Sequence, residues 1–196
     1  MRNWFLGALL VVAVAAAVWA GEATTPKAAD KTCGNGDSCC GMAAPSQQQV
    51  EYLQSLNYYV GAWTGGGEIS GMGAFTHKVT YEPVFGGNFI RGNYEATCAT
   101  QGVVAWQEAQ YMGWDVDNNR PSFTFFGMDG SIGNATKVEI DGAKVMTEYH
   151  CSGLSSMKDM RRITTRVDQD TFTLAMETRN GEQWAPFFTS TYQRQK

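Results

Sequence analysis

YYVGAWTGGGEI, residues Tyr58 to Ile69, sets Gly61, Trp63, Gly65 and Gly67 at every second position, directly after a short amphipathic segment from Val50 to Leu56. Glycine ordinarily weakens a strand. A strand that opens on a Trp among alternating glycines therefore predicts tight curvature, as at the first corner of a closed barrel. Just before it, Ser46 is placed to cap a short helix whose apolar face runs through Gln49, Val50, Leu53 and Leu56.

Downstream the chain alternates between strand-like segments and turn formers. The strands are expected at Tyr58–Ser70, Ala74–Val84, Asn88–Cys98, Val103–Asp115, Ser122–Met128, Gly133–Ile140, Lys144–Cys151, Arg161–Val167, Phe172–Thr178 and Gln183–Tyr192. Between them stand Phe85-Gly86-Gly87, the run Asp117 to Pro121, Asp129-Gly130, Asp141-Gly142, Asp168 to Asp170 and Asn180-Gly181. Asp-Gly and Asn-Gly between alternating segments are strong hairpin signals. About ten strands with no room for crossover helices predict an all-β, antiparallel up-and-down barrel with a short N-terminal helix, since closure removes exposed edges. A two-sheet sandwich is the alternative. Phe172, Leu174 and Met176 read as one buried apolar face. Val145, Thr147, Tyr149 and Cys151 form a mixed face, as expected where a wall lines a partly polar cavity.

The short helix leading into G-x-W-x-G-x-G, and the turn Phe85-Gly86-Gly87-Asn88-Phe89 with Arg91 after it, resemble the lipocalin-like bacterial domains of unknown function (family 1579), which are calycin-type barrels. Tyr111 to Asp115, followed by Phe123 to Asp129, resembles that family's central Gly-aromatic-Asp hairpin. The similarity covers residues 47–194. The opening motif also resembles nitrobindin, a ten-stranded barrel that binds heme through a histidine near its C-terminus. Here the last strand, Trp184 to Tyr192, contains no His, which counts against heme.

The start of the chain reads differently. Arg2 supplies a positive charge, and Phe5 to Ala17 is an apolar run shorter than the roughly 20 residues of a membrane span. Val18-Trp19-Ala20 offers small residues around a cleavage point, with Gly21-Glu22-Ala23 as a second candidate. Residues 1–20 are therefore expected to be a bacterial-type signal peptide and the protein to be exported, periplasmic or extracellular. An uncleaved anchor is the alternative, because the run can extend through Trp19. The first cysteine is Cys33, so a lipid-anchored N-terminus is not expected. Residues 21–45, rich in Ala, Gly, Thr, Asp and Lys, read as a disordered tether. Residues 46–196 are expected to form one domain. A net charge of -4 gives no basic surface for nucleic acid. Nothing in the domain is apolar for long enough to make a membrane helix.

Five cysteines in an exported chain point to disulfides. Cys33, Cys39 and Cys40 lie in the tether, Cys98 and Cys151 in the domain. The tether spacing matches no usual zinc pair, so no metal site is expected. Cys98 and Cys151 end the third and seventh strands on one rim, about 19 Å apart around the wall, so a bridge between them needs a flattened barrel or a folded-over loop.

His77 and His150 are the only imidazoles. His77 is expected at an exposed or rim position. His150 alternates with Met146 and Glu148 and competes for the inner face with Val145, Thr147 and Tyr149. If it points inward it is a pocket base or a heme ligand. Glu68, Glu82, Glu95 and Glu108 each fall on a strand, and a buried one needs a partner such as Arg91, Arg161, Arg162 or Arg166. Arg91 is the preferred charged interior group. Asp115-x-Asp117-x-Asn119 begins like a calcium loop but has Arg120 where Gly is needed and Phe126 where the bidentate Glu belongs. No G-x-S-x-G elbow or phosphate loop occurs. The residues thus point to a non-catalytic barrel that binds a small apolar molecule, with Arg91, Trp106, Tyr111, Phe125, Tyr149 and His150 as its contacts and no cofactor. Trp63 is expected to plug the floor. The alternatives are a heme protein that uses His150 and a solid structural barrel in the envelope.

Overall fold

In the computed structural model, residues 44–69, 71–153 and 157–196 are described. The expected signal peptide, the tether to residue 43, and Cys33, Cys39 and Cys40 lie outside the described residues.

Helix α1 (Gln47–Leu56) starts where Ser46 accepts the Gln49 amide at 3.2 Å, so the cap forms as the sequence predicts. Its buried face is Tyr52 and Leu56 with Leu53 packed alongside, whereas Val50 stays 38% exposed. The expected face is therefore rotated, because Tyr52 offers the larger apolar surface one turn before Leu56. A 3-10 turn (Asn57–Tyr59) then delivers the chain to β1.

Ten strands follow: β1 (Gly61–Ile69), β2 (Gly73–Val84), β3 (Phe89–Cys98), β4 (Val104–Asp115), β5 (Arg120–Gly127), β6 (Ile132–Asp141), β7 (Lys144–Ser152), β8 (Asp159–Arg166), β9 (Thr171–Asn180) and β10 (Gln183–Arg194). Each pairs antiparallel with its neighbour in sequence, and β1 pairs with β10 from Trp63 opposite Arg194 to Ile69 opposite Phe188, which closes the barrel. The up-and-down barrel is thus the architecture, and the sandwich is not. Gly86 and Gly87 sit at φ 69° and 87° in the turn between β2 and β3, a backbone region that glycine enters without strain.

The glycines of β1 allow the seam to close tightly. A Cβ at Gly67 would stand 1.9 Å from the Thr189 carbonyl oxygen, and one at Gly65 2.6 Å from that of Thr191. The end of the barrel that receives α1 is solid. Trp63 is 1% exposed there, its indole N–H donates to the Tyr59 carbonyl at 2.7 Å, and its ring meets Phe172 at 4.8 Å. Arg194 lies 4.1 Å over the same indole and donates to the carbonyls of Val60 and Tyr58, both at 2.7 Å. Trp63 is therefore the floor plug that its neighbours predict.

Candidate functional site

Above this floor the barrel is hollow. A cavity of about 180 Å³ opens toward the end where β1 turns into β2. A void of about 150 Å³ lined by aliphatic and aromatic groups is known to admit benzene, so this one takes a body of roughly one ring.

The walls follow from strand parity. On β7, Tyr149 and Cys151 face inward, and on β9 Leu174 and Met176 do. Phe123 and Phe125 project from β5, Met160 from β8 and Phe188 from β10. The Tyr149 hydroxyl sits between two thioethers, 3.8 Å from Met160 Sδ and 4.0 Å from Met176 Sδ.

The base of the cavity is polar. Trp106, Glu108 and Gln110 occupy successive inward positions of β4, and Arg162 reaches them from β8. Arg162 is 7% exposed and donates through Nη1 to Gln110 Oε1 at 2.8 Å and through Nη2 to Tyr81 Oη at 3.0 Å. The Gln110 amide nitrogen donates to Glu108 Oε1, and the Trp106 indole donates to Glu108 Oε2 at 2.9 Å. Gln110 thus bridges a buried cation and a carboxylate. Desolvation holds the Glu108 carboxyl above the usual carboxylate range, while Trp106, Gln110 and Arg162 pull it back.

Of the sequence candidates, Trp106, Phe125 and Tyr149 line the cavity. Three others face outward. Arg91 Nε donates to Glu82 Oε1 at 3.0 Å with 40% of its side chain exposed, and Tyr111 stands opposite it on β4, with its ring against Phe126. The inward side of β3 belongs to Ile90, Gly92 and Tyr94, so Arg91 falls on the solvent side. His150 pairs with Asp159 at 2.8 Å, and 56% of its side chain is exposed. Glu68 is exposed, and Glu95 accepts from Gln107 at 2.9 Å in an exposed pair. The charged interior groups are Arg162 and Glu108 instead.

His77 is the second correction. It is 1% exposed, not at the rim, because Phe75, Val79 and Tyr81 share its face of β2. Its ring stacks on Phe188 at 5.4 Å, Nδ1 bonds to the Tyr94 hydroxyl, and Nε2 has no partner among the described residues. Burial pushes its pKa down to about 4. The unfolded ring titrates near about 6.5, so between those values the unfolded chain binds the extra proton. Stability is therefore full above about pH 6.5 and falls as the pH drops toward about 4. Glu108 acts in the opposite sense, because its raised carboxyl favours the folded state on acidification. Comparing the protein with His77→Gln by urea denaturation isolates the histidine: the advantage of wild type at about pH 7 is expected to shrink toward about pH 4. An advantage constant across that window would contradict the assignment.

A heme held by His150 does not suit these residues. That ring lies on the outer surface, and among the described residues that line the cavity none is a histidine. Nor are Cys98 and Cys151 joined. Cys98 bonds to the Thr100 hydroxyl at 3.3 Å, while Cys151 is buried and desolvation pushes its thiol up to about 12. The closed barrel keeps the two on separate strands, as the spacing around an unflattened wall requires.

Neither a family model nor a curated protein matches the sequence. Among solved structures, the chain is similar to the crystal structure of Rv2717c from M. tuberculosis, with a TM-score of 0.58 and 16% identity over 74% of this chain and 97% of that one. At that identity the likeness shows the fold alone, an antiparallel barrel compatible with the calycin type. A de novo designed fluorescence-activating β-barrel aligns over 72% of this chain and 97% of its own, at 13% identity and a TM-score of 0.34, which is too low to bear on the fold.

Proposed function

We propose that the protein is a non-catalytic binder that houses one small, largely apolar molecule in the upper half of its barrel. The observation that supports this most is the asymmetry of the interior. One end is filled by Trp63, Tyr59, Phe172 and Tyr192, while the other keeps a cavity walled by Phe, Met, Leu and Tyr side chains. An unfilled core costs stability, since lost dispersion contacts are not replaced. A guest that restores those contacts is a physical reason to keep one.

Toluene is the simplest probe of this reading. Calorimetric titration is expected to show saturable binding at one site, with an unfolding temperature that rises with toluene concentration, because a ligand that binds only the folded state stabilises it by mass action. Met176→Trp places an indole in the same space and is expected to abolish both effects while leaving the barrel folded. Toluene uptake unchanged by that substitution would refute the reading.

A further inference from the structure

We infer that the occupant is a small carboxylate anion, its body about the size of one aromatic ring and its carboxylate seated on Arg162. This rests on the cavity being a binding site and adds the chemical class of what it takes.

Arg162 is a buried guanidinium whose direct partners are both neutral, the Gln110 amide oxygen and the Tyr81 hydroxyl. Among the described residues no carboxylate oxygen lies within 4.0 Å of it, although four other arginines form such pairs elsewhere in the barrel. A guanidinium carries five N–H donors in a planar fork. Two are used here, and the side chain lines the cavity. A buried charge without a directly bonded counter-ion is costly. A carboxylate, which takes two parallel N–H donors, supplies both the missing charge and the missing acceptors.

Glu108 completes the selection. Both of its oxygens already accept hydrogen bonds, from Trp106 and Gln110. Each Glu108 oxygen thus holds one hydrogen bond, whereas three of the five Arg162 N–H donors hold none, so the network is shorter of acceptors for the guanidinium than of donors for the carboxylate. Gln110 is held with its oxygen toward Arg162 and its nitrogen toward Glu108, which keeps the carboxylate from collapsing onto the guanidinium. An ammonium guest meets the like charge of Arg162, and the Glu108 oxygens are already engaged by Trp106 and Gln110. A neutral hydrocarbon fits the walls and leaves the guanidinium as it was. A carboxylate alone satisfies both, and its ring lies against Phe123, Phe125, Met160, Leu174 and Met176.

Calorimetric titration of the purified protein with sodium benzoate, toluene and benzylamine tests this. Benzoate is expected to bind at least about tenfold more tightly than toluene, and benzylamine more weakly than either. Arg162→Met is expected to erase the preference for benzoate over toluene. Glu108→Gln provides a second reading of opposite sign, should Arg162→Met fail to fold. With the neighbouring negative charge gone, the preference for benzoate over toluene is expected to grow severalfold. Toluene binding without a benzoate preference, or benzoate binding indifferent to both substitutions, would overturn the carboxylate assignment alone. Failure of all three probes to bind would overturn the cavity reading beneath it.

Discussion

Trp63→Ala is expected to cost about 3–5 kcal/mol of folding stability, the range for removing a fully buried aromatic side chain. The indole is 1% exposed at the closed end of the barrel. It meets Phe172 edge-on, lies under Arg194, and gives its N–H to Tyr59. Truncation leaves a large void, a carbonyl without its donor, and a guanidinium without its ring. The neighbours cannot collapse into the space, because Arg194 is tied to the backbone of Val60 and Tyr58 and to Asp170 at 3.2 Å. Urea denaturation is expected to show a lower midpoint with an unchanged slope. A loss below about 1 kcal/mol would mean that the floor is not the solid element described.

Gly67→Ala is expected to do comparable damage by the opposite means. Overpacking a tight site costs about 1–3 kcal/mol, and more where the obstacle is backbone. Here the new methyl meets the Thr189 carbonyl at 1.9 Å, and Thr189 belongs to β10 at the seam that closes the barrel. Neither strand can yield without giving up ladder hydrogen bonds. Gly66→Ala is the internal control, since its Cβ approaches only the Phe75 carbonyl, at 3.3 Å. That variant is expected to fall within about 1 kcal/mol of the parent in the same denaturation series. Equal losses at the two positions would show that glycine flexibility, not the close approach of β10, governs this strand.

These two effects explain why the fold was readable in the sequence. The glycines around Trp63 are a signature because the seam leaves no room for a Cβ. The hairpins are readable because Gly130, Gly142 and Gly181 adopt φ of 85°, 55° and 63° at their tips, so turn chemistry and strand alternation agree. The cavity was only partly readable. Trp106, Phe125 and Tyr149 are inward residues that composition already favoured. The polar base was not visible, because β8 inverts the usual pattern: Ile163 faces outward while Arg162 and Thr164 face the lumen. In Arg161-Arg162 nothing local distinguishes the residue that pairs with Glu177 on the surface from the one that is buried. Arg91 follows the Gly-Gly turn on a strand, yet parity on β3 turns it to solvent. His77 did carry a usable signal, the alternation of Phe75, Val79 and Tyr81 around it. Period two fixes which residues share a face. It leaves open which face is the inside until the strands are closed on one another.

The interior as a guest site is tested most directly by methyl spectra of protein labelled with [methyl-13C]methionine during a toluene titration. Of nine methionines, Met72, Met157, Met160 and Met176 line the cavity, while Met112 is buried in the core away from it. Saturable shifts are expected at Met160 and Met176, with a common dissociation constant and no movement of Met112. Shifts that grow without saturation, or that spread evenly over all the methionines, would contradict a guest site inside the barrel.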